Sequence, residues 1–350
     1  MREPIFTGKW GACHIQGIAV DEKKGYIYYS FTTKLVKAKL TGEIIGYVDG
    51  LLGHLGCIAL NPQDGKVYGA LEYKSDAIGK GVLNALKLDT KLSDAFYIAR
   101  FDVDKINRPA MSAQEDGIME CVHLSEVVMD YHGKGKNSAG EVVPHRYGCS
   151  GIDGTTFAPL PGKTPADGMY LYVAYGIYED NSRDDNDHQI ILCYDIADWD
   201  RYAAPLNQDR MHTQGPEKPL HKFFVYTGNT RYGIQNLEYD PYKNALFMAV
   251  YKGKKPQYPN YLLFAVDMTV TAETKPLKGL EETGECLHLL PLGIEDHGIY
   301  GWYFPHGSTG LCSMGDGRWY ISQNKVLDGE QCGEIYQYRW DDTEAFIPNM

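Results

Sequence analysis

A chain of 350 residues with 43% hydrophobic and 23% charged residues carries enough apolar content to bury a full core. Its net charge of −12 argues against nucleic acid as the main partner, because phosphate binding needs a basic face. No apolar run reaches the length of a membrane-spanning helix, so no membrane partner is expected. The 8 cysteines are scattered without a C-x-x-C pair, which reads as a cytoplasmic protein with free thiols.

The 27 tyrosines, 38 glycines and 17 prolines suit many short strands and tight turns better than helices. A unit recurs along the chain: a strand, a turn with Asp, Asn or Gly, a second strand rich in Tyr and branched residues, then a third and a fourth strand. The first unit places strands at 14–21, 25–30, 35–40 and 43–48, and the second at 54–61, 65–71, 96–102 and 126–131. The third places them at 148–153, 169–173, 190–195 and 222–226, and the fourth at 233–240, 245–249, 261–267 and 286–290. The fifth has 306–313, 318–322 and 334–340, with no strong fourth strand after them. Residues 4–10 stand just before the first unit and are predicted to supply that missing strand, joining the two ends of the chain. Radial sheets closed in this way describe an all-β, five-bladed β-propeller forming one domain over 1–350, with room for a sixth blade in 95–140, where the pattern is weakest.

Aligning the five units puts His14, His54, Gly148, Gly233 and His306 at one position, and Gln16, Gly56, Ser150, Gln235 and Ser308 two residues on. Residues two apart on a strand share a side, so these groups are expected to converge at the mouth of the central channel. His14, His54 and His306 with Gln16 and Gln235 could hold a divalent ion (Mn, Zn, Fe or Ni) with an open position. The alternative is that the histidines are remnants of blade duplication, bonded to backbone or water.

Arg146/Tyr147 and Arg231/Tyr232 precede two inner strands, and Tyr303 stands at the matching place in a third. Arginine forks match carboxylates and tyrosines offer a stacking face and a proton, so a sugar-like or acidic small molecule is the expected partner. Glu72, Tyr175, Tyr251 and Gln323 leave second strands towards the same mouth and read as substrate-binding residues. The acidic run 178–188 reads as a solvated surface loop, or less readily as a calcium site, and the basic, proline-rich run 252–259 as a mobile loop over the mouth. Asp153 and Glu72 are the only acids near the inner strands, which points away from ordinary glycoside hydrolysis.

The whole chain resembles the β-propeller superfamily. The set His14, His54, His306 and Gln16 or Gln235 loosely resembles the manganese site of oligogalacturonate lyases, which are propellers with more blades. That resemblance implies metal-assisted proton abstraction and β-elimination on a small carbohydrate or carbohydrate acid, with Arg146 and Arg231 orienting the acid group and Tyr147 or Tyr232 exchanging the proton. Metal-assisted hydrolysis or isomerisation would use the same residues. A non-catalytic sugar- or peptide-binding propeller, or an interaction scaffold, would need the same fold but not the chemistry.

Overall fold

The computed structural model describes residues 3–349, and they form five sheets arranged as a five-bladed β-propeller. Blade 1 runs Ile15–Asp21, Tyr26–Phe31, Lys34–Lys39 and Ile44–Asp49 from the inside outwards. Blade 2 runs His54–Leu60, Val67–Tyr73, Ala95–Phe101 and Met119–His123, and blade 3 runs Cys149–Ala158, Tyr170–Ile177, His188–Tyr194 and His221–Tyr226. Blade 4 has three regular strands, Thr230–Asp240, Ala245–Lys252 and Leu263–Asp267. Blade 5 runs Leu311–Ser313, Arg318–Leu327 and Glu330–Asp341, and Ile5–Lys9 completes it.

Each blade is apolar on both faces because it is covered by a neighbour on either side. The buried residues accordingly fall into five clusters, one per seam. Tyr28 and Leu35 of blade 1 pack on Leu55 and Val67 of blade 2. Tyr68 meets Phe157 at the next seam, with ring centroids 5.1 Å apart and edge-on. Cys312, Tyr320 and Ile335 of blade 5 close the circle against Ile15 and Ile27 of blade 1.

The N-terminal strand pairs antiparallel with the third strand of blade 5, Ile5 opposite Ile335 and Lys9 opposite Cys332, and the fully buried Thr7 hydroxyl accepts the Gly333 N–H at 2.7 Å. The expectation that residues 4–10 close the ring therefore holds. No sixth blade hides in 95–140: that stretch supplies the two outer strands of blade 2 and a helix, α2 (Ser125–His132). The predicted fourth strand at 126–131 is this helix, and Met119–His123 takes the place instead. Residues 286–290, predicted as the fourth strand of blade 4, do run beside its third strand. The Asp267 N–H donates to the His288 carbonyl at 2.9 Å and the Leu290 N–H to the Ala265 carbonyl at 2.7 Å, but only Val266 and Leu289 form a bridge.

Two loops over the mouth are not free. Lys255, buried in the 252–259 loop, donates to Asp187 Oδ1 at 2.5 Å and Asn186 Oδ1 at 3.0 Å, and Tyr258 donates to Asp187 Oδ2 at 2.7 Å. Arg183 forks onto Asp185 at 2.8 and 2.9 Å, both residues being buried. Residues 183 and 185–188 of the acidic run thus form a buried clasp held by the basic loop, while residues 181, 182 and 184 stay exposed to solvent.

Below the mouth the inner strands bond to one another across the channel. Asn236 donates to the carbonyls of Gln16 at 2.8 Å and Ser308 at 3.0 Å, joining three blades. Lower down, Glu238 accepts from the Ser313 N–H at 2.9 Å and the Thr156 hydroxyl at 3.1 Å. Burial pushes its carboxyl from the ordinary 4.5 up to about 8. The folded state holds this proton more tightly than the unfolded chain does. Its stabilising effect is complete below pH 4.5 and is lost as pH rises through about 8. Glu238→Gln, whose amide does not titrate, should therefore gain stability over the parent in urea melts at alkaline pH and differ little at pH 5. Equal differences at both pH values would contradict a protonated Glu238.

Candidate active site

Four of the five inner strands carry a β-bulge where they pair with the second strand of their blade: between Ile15 and Gly17, Leu55 and Ile58, Ile152 and Thr155, and Arg231 and Ile234. A bulge adds a residue and re-aims the side chains beside it. Ser150 and Asp153 are three apart and strict alternation would send them to opposite sides, yet both line the same cavity; so do Tyr232 and Gln235. The cavity is about 630 Å³, within the range of small-ligand sites, and opens at the channel mouth. Its walls come from the starts of inner strands (His14, His54, Ser150, Arg231) and the ends of second strands (Glu72, Tyr251, Lys252), as the propeller geometry requires.

The chemistry concentrates on the blade 2–blade 3 side. Glu72 is 2% exposed, and its carboxylate receives Lys74 Nζ at 2.5 Å on Oε1 and the Ile152 N–H at 3.0 Å on Oε2. Lys74 is buried too and also donates to the Ser150 carbonyl at 2.8 Å. Burial alone would lower the Lys74 pKa, but chiefly the negative charges of Glu72 and Asp76 outweigh it and hold the ammonium charged above its ordinary range. Asp153 accepts from Gln235 Nε2 at 3.2 Å. Burial, and then the charge of Glu72, drive its carboxyl well above the ordinary range, while Lys74 opposes this only in part. Burial also raises Glu72, against the pull of Lys74. One ammonium faces this coupled pair of carboxylates, so burial and their mutual repulsion hold the pair's proton affinity above the ordinary carboxylate range.

The His54 imidazole stands between the two acids, Nδ1 being 3.7 Å from Glu72 Oε1 and 3.6 Å from Asp153 Oδ1. Burial, reinforced by Lys74 and His14, lowers its pKa to about 3, so the ring is neutral. Its buried Nδ1 has no hydrogen-bond partner among the described residues. Two glycines make room for the acids. A Cβ on Gly151, at φ +122°, would lie 2.0 Å from Glu72 Oε2, and one on Gly56 would lie 2.5 Å from Asp153 Oδ1. Helix α1 (Ala77–Ala85), capped by Asp76 accepting the Gly79 N–H at 2.9 Å, closes the flank through Ile78; Tyr178 pins that cap with a 2.5 Å bond to Asp76.

At the opposite lip stand Arg231 and Lys252. The Arg231 guanidinium lies 5.1 Å over the Tyr232 ring and its Nε is 3.6 Å from Glu179, so it remains half exposed to the cavity mouth. Tyr232 takes φ +63° and the following Gly233 φ +70°, a left-handed pair that aims the tyrosine at the cavity.

Of the sequence-derived set, His14, Gln16, His54, Glu72, Arg231, Tyr232, Gln235 and Tyr251 line this cavity. His306 does not, because regular strand in blade 5 begins only at Leu311; its ring packs edge-on to Phe304 at 5.6 Å. The amides of Gln16 and Gln235 are engaged, the first with the Thr32 hydroxyl at 3.0 Å and the second with Asp153 and the Tyr232 carbonyl. Among the described residues no group of three or more His, Cys, Asp or Glu is placed to hold a metal ion. Tyr147 repeats the left-handed Tyr–Gly turn (φ +56°, then +69°) but is buried against Phe224, and Arg146 is paired with Glu282 at 2.6 Å on the outer flank. Tyr175 is buried in the same core, donating to Asp130 at 2.8 Å. Gln323 bonds the Tyr338 hydroxyl at 3.0 Å in a separate cleft, and Tyr303 reaches the rim only through Lys252, which lies 6.0 Å over its ring.

No family model matches the chain, and no curated protein matches it in sequence. In structure it is similar to the GH43 β-1,3-galactosidase BT3683 solved with galactodeoxynojirimycin, at 11% identity and TM-score 0.45, covering 99% of this chain and 98% of that one. It is also similar to the PQQ domain of pyranose dehydrogenase from Coprinopsis cinerea, at 11% identity and TM-score 0.36, covering 91% of this chain and 81% of that one. A protein of unknown function from Bacteroides caccae matches at 9% identity and TM-score 0.33, covering 83% of this chain and 99% of that one. Likeness at this level says nothing of activity.

Removing one partner of a buried ion pair strands the other charge, at a cost of roughly 3–5 kcal/mol. Lys74→Met should therefore lower the melting temperature sharply at neutral pH, and adding Glu72→Gln should recover much of the loss. If the double variant is no better than the single one, Lys74 contributes packing rather than charge.

Proposed function

We propose that the chain is an enzyme that cleaves a glycosidic C–O bond in a small acidic carbohydrate, with Asp153 as the general acid. The observation that carries this reading is a carboxyl group lining an open cavity, 3.6 Å from the His54 imidazole and close to the buried Glu72–Lys74 ion pair, where burial and the Glu72 charge favour its protonated form. A carboxylic acid with a raised pKa is what protonation of a leaving oxygen requires. Arg231 and Lys252 would receive the substrate's carboxylate at the lip, and Tyr232 and Tyr251 would pack on its ring. In this scheme Lys74 already supplies the positive charge among the carboxylates, so a divalent ion held by His14 and His54 is not needed for the acid step. The sequence counts the scarcity of acids near the inner strands against ordinary glycoside hydrolysis, whereas here Asp153, one of those two acids, would serve as the acid.

Asp153 would give its proton to the leaving glycosidic oxygen, and the neutral His54 imidazole would take the balancing proton, from the attacking water in hydrolysis or from the carbon next to the carboxylate in β-elimination, then return it to Asp153 3.6 Å away. Elimination leaves an unsaturated, ultraviolet-absorbing product and hydrolysis does not, so product analysis on uronate-containing oligosaccharides separates the two. Asp153→Asn should lower kcat by about 10²–10⁴ with little change in KM. Because the acid must carry its proton, parent activity should fall as pH rises through the Asp153 pKa. Arg231→Ala should chiefly raise KM. Activity that survives chelation supports the metal-free scheme, whereas loss on chelation with recovery on adding Mn would restore metal-assisted chemistry. Binding of these saccharides without turnover, unchanged in Asp153→Asn, would turn the reading into that of a sugar-binding propeller.

A further inference from the structure

A second cavity, of about 420 Å³, lies away from the channel on the outer seam between blades 3 and 4. It exists because residues 283–290 serve two blades at once. Cys286 runs parallel to Phe224 at the edge of blade 3, and three residues later Leu289 bridges Val266 of blade 4, leaving a gap beneath the crossing. The floor of that gap is His188, the first residue of the third strand of blade 3.

On a chain of net charge −12, this cavity is lined by two lysines and two histidines, Lys275, Lys278, His188 and His288, and by no carboxylate, its other titratable groups being the Cys286 thiol and the phenols of Tyr226 and Tyr300. His188 is 3% exposed, and its buried Nδ1 has no hydrogen-bond partner among the described residues. A buried polar group without a partner is costly unless something fills the site. Burial and then the charges of Lys278 and Lys275 lower its pKa to about 4, and its ring lies 5.2 Å from the Tyr226 ring that Lys278 also contacts. Among the described residues Lys278 has no carboxylate partner; its Nζ sits 4.6 Å over the Tyr226 ring, on the cavity wall. Glu273 is the acid that faces these groups, 3.9 Å from Lys275 and 3.4 Å from His288, and being exposed it neutralises them only in part. Glu285 is engaged by His221 at 3.0 Å.

We propose that this cavity is a second ligand site, separate from the channel mouth, that takes a small oxyanion (phosphate, sulfate or the carboxylate of a sugar acid). The anion sits between Lys275 and Lys278 over the edge of His188, and the neutral imidazole donates its N–H to it. Tyr226 and Tyr300 give the walls an apolar face on which an attached ring can rest.

The test follows the His188 ring signals by NMR while the intact protein is titrated with inorganic phosphate, sulfate, glucuronate and, as a neutral control, glucose. Saturable shifts with the anions and none with glucose are expected, weakening as salt rises, and the bound anion should move the His188 pKa upward. The anion that saturates at the lowest concentration identifies the natural headgroup. Lys275→Glu/Lys278→Glu should weaken binding at least tenfold, while Arg231→Ala at the channel mouth should leave it unchanged. Anion shifts that persist in the lysine variant, or that vanish in Arg231→Ala, would overturn the proposal, as would the absence of any saturable shift. Circular dichroism of the lysine variant confirms that the fold is retained. Because the site shares no residue with the channel cavity, its failure leaves the bond-cleavage reading standing, and the reverse also holds.

Discussion

Closure of the ring is the constraint on which the rest of this molecule depends. Every blade is apolar on both faces, so each needs two neighbours, and an open arc of five would leave two large apolar faces in water. Ile5–Lys9 removes that problem by joining the sheet of blade 5, where it pairs with one end of Glu330–Asp341 while Ala345–Pro348 pairs with the other, so the first and last blades are tied through one strand. Closure also drives the inner strands together at one axis, where Asn236 and Glu238 bond across it. The channel is thereby plugged below and open above, and the mouth becomes a blind pocket.

That geometry explains why the pocket can hold charge. Strand ends from blades 1 to 4 bring polar groups into a space walled by their own sheets, and the low polarity there makes each charge depend on its partner. Glu72 and Lys74 satisfy each other and the backbone of blade 3, which fixes the charge around Asp153 and His54. Burial and the neighbouring charges favour the protonated form of Asp153 and the neutral form of the His54 imidazole, which stand 3.6 Å apart. The clasp of Lys255 with Asp187 holds the outer loops in place above it.

Blade number, strand order and the closing strand were legible in the sequence because each rests on local patterning: repeated turn residues, tyrosine-rich second strands and a missing fourth strand. Helix α2 was misread as a strand because Val127, Val128 and Tyr131 make its segment look β-forming, and packing on the core of blade 3 decides otherwise. The site was half legible. His14, His54, Gln16 and Gln235 were found by register, but His306 was placed by extending a strand that blade 5 does not form there. Asp153 was undervalued for the opposite reason: a bulge turns it into the cavity, and a bulge leaves no trace in period-two alternation. The two Arg–Tyr–Gly copies share a left-handed turn, yet only the blade 4 copy faces the mouth, because α2 and Phe224 cover the other. Lys74 stood in plain sight two residues from Glu72; its burial is a property of the closed ring rather than of its segment.

The central claim is that Asp153 keeps a proton at neutral pH because one ammonium serves two buried carboxylates. The most direct measurement is a ¹³C NMR titration of the side-chain carboxyls, with the Asp153 signal assigned by its loss in Asp153→Asn. The account predicts that Asp153 titrates well above the ordinary aspartate value of 3.8 and that Glu72→Gln brings it back down. An Asp153 that titrates near 3.8, or one unmoved by Glu72→Gln, would contradict it.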